Sequence, residues 1–132
     1  MGSGIIRVLV ADHNALMREG LALLVRLQPD MQLVGVAATA EEAVQLYLEQ
    51  RPDVTLMDLD LPSVASFGAI REISARDAGA RIIGLTTYER DATWAWALAA
   101  GASECIAKDR VSDSLPRMIR TDADKVPPEI GG

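Results

Sequence analysis

The chain is short of several things, and each shortage excludes something. One cysteine, Cys105, stands in 132 residues; a lone thiol closes no intramolecular disulfide and fits a reducing cytosol. No apolar run approaches the roughly 20 residues that cross a bilayer. The opening Met1-Gly2-Ser3-Gly4 lacks the apolar segment of a signal peptide and reads as a cloning remnant or a short flexible lead. Basic charge is scarce too: 13 Lys and Arg face 19 Asp and Glu, for a net charge of −6. Nucleic-acid-binding surfaces are usually basic, so this chain by itself is not expected to bind DNA. An acidic chain can still hold a cation. What is present, 49% apolar and 24% charged residues, is the mixture of a soluble domain with a real core.

Apolar runs alternate with helix-like segments. Ile5-Ile6-Arg7-Val8-Leu9-Val10-Ala11 is rich in β-branched residues and ends at Asp12, as a buried strand does. Leu16, Gly20, Leu23, Leu24 and Leu27 follow at the three-to-four spacing of one helix face, stopped by Pro29-Asp30. A second strand covers 32–37. Thr39 and Glu42 then form a capping-box pattern, hydroxyl and carboxylate each answering a free backbone N–H. Arg51-Pro52-Asp53 ends that helix and launches the strand Val54-Thr55-Leu56-Met57-Asp58. A helix over 66–77, a strand over 81–86, an alanine-rich helix over 90–100 closed by Gly101, and a short strand over 103–107 complete the alternation. Ser112 is placed to cap a last helix, with Pro116 expected in its tolerant first turn.

Five strand-helix pairs imply a parallel sheet with helices on both faces. In such sheets functional groups gather outside the carboxyl ends of the strands, at the topological switch point. Asp12, Asp58, Thr86 and Lys108 end or follow strands one, three, four and five. Two carboxylates, a hydroxyl and an ammonium at one edge suit phosphoryl transfer to a carboxylate. An ionised Asp forms an acyl phosphate, and the transferring group needs cations around its oxygens. A hard divalent ion, most simply magnesium (Mg2+), would be one; Lys108 would be another. Each residue alone has a plainer reading: a helix cap for the aspartates, a solvated surface lysine, a strand threonine. Four at four strand ends are a stronger signal.

At these residues the chain resembles the receiver domains of NarL/FixJ-type response regulators, whose output modules are LuxR-type. The resemblance rests on Val8-Leu9-Val10-Ala11-Asp12-His13, Leu16-Met17-Arg18-Glu19-Gly20-Leu21, Leu56-Met57-Asp58-Leu59-Asp60-Leu61-Pro62, Leu85-Thr86-Thr87-Tyr88 and Gly101-Ala102-Ser103 with Lys108-Asp109. It implies a receiver over 5–121 with a flavodoxin-like (βα)5 fold and strand order 2-1-3-4-5. It implies a cytoplasmic, non-enzymatic switch phosphorylated on Asp58 by a sensor histidine kinase. It gives Thr86 as the switch hydroxyl and Lys108 as the phosphoryl contact. Asp12, Asp58 and the backbone carbonyl of Asp60 become the magnesium ligands. Residues 122–132, with Lys125-Val126-Pro127-Pro128-Glu129-Ile130, resemble the linker toward a helix-turn-helix output domain; DNA binding would belong to that domain in a longer parent. The fourth and fifth helices are where such domains form homodimers.

The chain departs from the family pattern at several points. His13 stands where a second acidic metal ligand is usual, so magnesium binding is expected to weaken; its plain reading is an exposed helix-start residue, its sharper one a transition-metal ligand. Ser63-Val64-Ala65-Ser66 replaces a glycine-bearing turn, which implies an altered loop. Cys105 replaces an aromatic that swings inward on activation, and reads as a small strand hydrophobe rather than a redox group; Glu104 replaces a glycine. Trp94 and Trp96, two apart, face different ways, one inward and one available to an interface. Two other functions stay open. A pseudo-receiver would keep the fold and Asp58 but signal by binding. An Asp-nucleophile phosphatase of the haloacid-dehalogenase type would use Asp58-Leu59-Asp60, although the chain is short for it. A histidine phosphotransfer role for His13 conflicts with the α/β pattern.

Overall fold

The structure is a computed structural model; it describes residues 4–60, 63–87 and 92–124, with side chains at all of these except 63, 64 and 121–124. Five strands alternate with five helices: β1 (Ile6–Ala11), α1 (Ala15–Arg26), β2 (Met31–Ala37), α2 (Ala40–Gln50), β3 (Val54–Asp58), α3 (Ser63–Arg76), β4 (Ile82–Thr86), α4 (Ala92–Ala100), β5 (Glu104–Ala107) and α5 (Val111–Asp124). A 3-10 turn, Lys108–Arg110, joins β5 to α5. All pairings are parallel and the order is β2-β1-β3-β4-β5. The alternation implied the parallel sheet covered on both faces, and the family resemblance implied its flavodoxin-like strand order; the structure has both.

Strand alternation divides the core in two. Val8 and Val10 point to one face, where they meet Leu21 and Val25 of α1 and Leu115 and Ile119 of α5. Leu9 and Ala11 point to the other, against Ala43 and Tyr47 of α2, Ile70 and Ile73 of α3 and Ala97 of α4. The middle strand β3 is buried along its whole length, which is why it reads as an unbroken apolar run. Each large aliphatic side chain buried this way contributes on the order of 1.5–3 kcal/mol.

Several local expectations are met in detail, and others are corrected. Thr39 caps α2, its Oγ1 accepting from Glu42 N at 3.1 Å; the returning Glu42 carboxylate takes the N–H of Ala38 at 2.7 Å, one residue earlier than the simple box would have it. The stripe Leu16, Leu23 and Leu27 is not the buried face of α1. These side chains are 80%, 55% and 68% exposed, while Leu21, Ala22 and Val25 face the sheet. The helix carries two adjoining apolar stripes, and regular spacing alone does not say which one packs. The segment Ser63–Ser66 is not a loop but the first turn of α3. Pro116 lies in the second turn of α5, because the helix begins at Val111; its missing N–H leaves the Ser112 carbonyl without an i+4 donor. Lys125-Val126-Pro127-Pro128-Glu129-Ile130 lies outside the described residues, and so does Tyr88. No helix among the described residues is long and apolar enough to cross a membrane.

Gly101 makes the reversal from α4 into β5. Its φ is +129°, a value side-chain-bearing residues rarely adopt. Its N–H bonds back to the carbonyls of Ala97 and Leu98, each at 3.2 Å, and Ser103 N then joins Ile82 O at 2.8 Å to start β5. This turn delivers Lys108 to the sheet edge.

Candidate phosphoryl-transfer site

Register places the functional groups side by side. Ala11 pairs with Met57, Asp58 with Leu85 and Thr86 with Ala107, so the next residues along each strand emerge at one edge. Asp12 and Asp58 are fully buried there. Lys108 binds both, its Nζ lying 3.1 Å from Asp12 Oδ2 and 2.9 Å from Asp58 Oδ1, and it also lies 3.3 Å from Asp60 Oδ2. The four strand-end residues picked from the sequence therefore share one edge, three of them joined directly by the ammonium. Thr86 enters through Asp60: its hydroxyl donates to Asp60 Oδ1 at 3.2 Å.

Backbone groups fix the carboxylates. Asp60 N donates to Asp58 Oδ1 at 2.8 Å and His13 N to Asp58 Oδ2 at 3.2 Å. Asn14 N donates to Asp12 Oδ1 at 2.9 Å, and Asn14 in turn caps α1 by accepting from Met17 N. The His13 ring also reaches the cluster, its Nδ1 lying 2.5 Å from Asp58 Oδ2 and 3.9 Å from Asp12 Oδ1. Asp12 Oδ2 is buried and accepts no hydrogen bond of good geometry; only the Lys108 ammonium meets it.

These contacts set the charges. Burial pushes the Asp58 carboxyl up, but the hydrogen bonds from Lys108, from the His13 ring and from the two backbone N–H groups outweigh it, and the net direction is down. Asp58 is an ionised, dehydrated carboxylate. Asp12 goes the other way: burial and the like charge of Asp58 raise it against the pull of Asn14 N–H and Lys108. Lys108 is depressed by burial and raised more strongly by its two carboxylates, so it stays charged.

Two residues hold the site in ways the sequence did not announce. Ser66, buried in the first turns of α3, donates to the Asp58 carbonyl at 2.8 Å and ties that helix to the strand end; only its place on the inner side of α3 could have marked it. Asp60 was singled out for its backbone carbonyl, yet its side chain is busy as well. Besides Thr86 and Lys108, it accepts from Thr87 N at 3.0 Å and Thr87 Oγ1 at 2.6 Å. Cys105 is half-buried, and burial pushes its thiol up to about 11. That suits the hydrophobe reading, since little thiolate forms near neutrality. On α4, Trp96 is 58% exposed and packs edge-on against Phe67, with ring centroids 6.0 Å apart; Trp94 is partly buried.

An open groove of about 1130 Å³ leads away from the site along α1. His13, Asp60 and Lys108 line one end, and the exposed Leu16, Leu23 and Leu27 line the rest.

Comparison with known proteins agrees with this geometry. Residues 8–120 match the response regulator receiver domain. The transcriptional regulatory protein DesR of Bacillus subtilis is 32% identical over 116 residues, covering 88% of this chain and 57% of that protein. The response regulator domain of Thermotoga maritima CheB superposes with a TM-score of 0.81 at 32% identity, over 93% of this chain and 99% of the other. A two-component response regulator of the LuxR family from an Aurantimonas species gives 0.82 at 34%, over 89% and 84%. The chain spans just over half the length of such curated relatives as DesR.

Proposed function

The chain belongs to the response regulator receiver family, and from that premise we propose that, in the cytoplasm, Asp58 accepts a phosphoryl group from the phosphohistidine of a sensor histidine kinase. The observation that carries this reading is the state of Asp58: fully buried, yet held ionised by Lys108 at 2.9 Å and by backbone N–H groups. A dehydrated carboxylate with its charge maintained is a competent nucleophile. In the transfer, an Asp58 oxygen forms an O–P bond as the P–N bond of the donor breaks and the imidazole leaves with the electron pair. Lys108 is placed to follow the charge onto the phosphoryl oxygens.

The resting contacts of Thr86 give the switch its mechanism. Its hydroxyl donates to Asp60 at 3.2 Å; on arrival of the phosphoryl group, hydroxyl and ammonium both gain a stronger acceptor and leave Asp60. The signal passes to β4 and α4, since Cys105 is too small for an aromatic swing. The chemistry is one acceptance per chain rather than turnover. The groove along α1 is the docking face for the kinase, because its apolar stripe begins where the reacting carboxylate lies. A homodimer through α4 and α5, with Trp96 at the contact, and transcriptional output through a helix-turn-helix domain of a longer parent complete the proposal.

Two carboxylates and a buried oxygen without a hydrogen bond suit a divalent cation at Asp12 and Asp58, where the Asp60 carbonyl would add a further oxygen. They do not suit magnesium in particular, because His13 puts nitrogen where that ion prefers oxygen.

The test is incubation with a small phosphodonor and a divalent metal, magnesium and manganese in separate reactions, read by intact mass. A gain of one phosphoryl group, absent from Asp58→Asn, is expected. No gain with either metal would overturn the proposal and favour a pseudo-receiver, for which the His13 ring against Asp58 Oδ2 is the supporting contact.

A further inference from the structure

We propose that Asp12, His13 and Asp58 form a site for a divalent transition ion of the nickel, cobalt or zinc class, and that the site takes such an ion in preference to magnesium. The proposal goes beyond the phosphoacceptor reading and does not rest on it.

Each of the three residues offers one ligand atom, all within 4.8 Å of one another. The two carboxylates are fully buried and the imidazole is 47% exposed. One side of the site is therefore rigid and the other adjustable. His13 is also pinned where a ligand needs to be: its backbone N–H bonds Asp58 Oδ2 at 3.2 Å while its ring turns inward to the same carboxylate. The buried Asp12 Oδ2 is the independent observation: it accepts no well-formed hydrogen bond and is met only by the Lys108 ammonium at 3.1 Å, which leaves acceptor capacity for a cation.

Distances agree with a small adjustment. Adjacent donors around an ion with bonds of about 2.1 Å lie about 3.0 Å apart in octahedral geometry and about 3.4 Å apart in the tetrahedral geometry zinc prefers. The Nδ1 to Asp58 Oδ2 separation is 2.5 Å and that to Asp12 Oδ1 is 3.9 Å. An imidazole shift of roughly half an ångström centres it between the two, well within the freedom of a half-exposed ring. Charge favours the ion as well. Asp12, Asp58 and Asp60 surround a single ammonium, Lys108, so a dication restores balance.

The donor set then decides which dication. Magnesium asks for oxygen in near-octahedral geometry and gives up water reluctantly. Imidazole nitrogen suits zinc, nickel and their neighbours, and affinity rises along the series toward copper. Because that series favours nickel over magnesium at nearly any site, the informative quantity is how far His13 widens the ratio.

The experiment uses the untagged chain without phosphodonor. Its ring nitrogens are a unique reporter, since the sequence contains one histidine. Zinc, nickel and magnesium are titrated alone by calorimetry, and the zinc and magnesium titrations are followed by 1H–15N correlation of the imidazole. Zinc is expected to bind one-to-one and shift Nδ1, with an affinity roughly 100-fold or more above that of magnesium; magnesium leaves the ring unmoved. His13→Asp should narrow the nickel-to-magnesium ratio at least about tenfold, with magnesium binding tightened. Asp12→Asn should weaken zinc binding. Ring nitrogens that stay put at saturating zinc overturn the proposal. So does zinc binding that survives unchanged in both Asp12→Asn and Asp58→Asn, which would mean an isolated surface imidazole, or a ratio unaltered by His13→Asp.

Discussion

Replacing Gly101 with alanine separates two costs that the turn after α4 combines. The backbone there has φ +129°, and holding a side-chain-bearing residue in such a region costs on the order of 1–3 kcal/mol. The added methyl would also lie 2.8 Å from Ser74 Cβ and against its hydroxyl, with Ile70 Cγ2 at 3.7 Å behind. Overpacking of that kind costs a further ~1–3 kcal/mol. Gly101→Ala is therefore expected to lose about 2–6 kcal/mol, a large fraction of the stability of a small domain. Urea unfolding reads it as a fall in midpoint at unchanged slope. Adding Ser74→Gly removes the crowding atoms but not the backbone strain. In the double-mutant cycle it should recover ~1–3 kcal/mol, after its own helix-propensity loss of about 0.5 kcal/mol is subtracted. A Gly101→Ala protein within ~0.5 kcal/mol of wild type would refute the strain argument. A coupling energy near zero would refute the crowding.

Three further outcomes follow from the same contacts. Leu23→Glu changes a 55% exposed residue on the groove; it should slow transfer from a phosphorylated kinase domain roughly tenfold and leave labelling by a small phosphodonor unchanged, and equal slowing of both would remove the groove from docking. Burial holds the Cys105 thiol near 11, so its alkylation rate should still climb tenfold per pH unit at about pH 10, where an ordinary thiol has levelled off; a plateau below that contradicts the burial. The Arg120 guanidinium beside Asp30 lowers that carboxyl, with contacts at 2.8 and 3.0 Å. The folded pKa lies below the unfolded one, so the contribution is present above about pH 4 and lost as pH falls through the folded value. Both groups are more than a third exposed, so Arg120→Met should cost under ~1 kcal/mol at neutral pH and less still in acid, measured by urea unfolding at both.

Much of this was visible in the order of residues. Unbroken apolar runs and segments of three-to-four spacing alternate cleanly because a doubly wound sheet buries its strands on both faces, and Asp12, Asp58, Thr86 and Lys108 stand out because register brings strand ends together. Spacing does not reveal which of two stripes packs, and α1 has two, so Leu16, Leu23 and Leu27 looked like core and proved to line a groove. Nor does it reveal that Ser63–Ser66 can begin a helix once Ser66 finds the Asp58 carbonyl. The side chain of Asp60 finds its partners, Thr86 and Thr87, 26 and 27 residues away, a contact made only by the assembled edge.

Locating the phosphoryl group is the most direct test of the proposal for Asp58. Borohydride reduces an aspartyl phosphate to homoserine, which peptide mass spectrometry places at a single position. After treatment with a small phosphodonor and divalent metal, the reduced residue should be Asp58 and no other. Homoserine at Asp12 or Asp60, phosphohistidine at His13, or no modified peptide at all would contradict it.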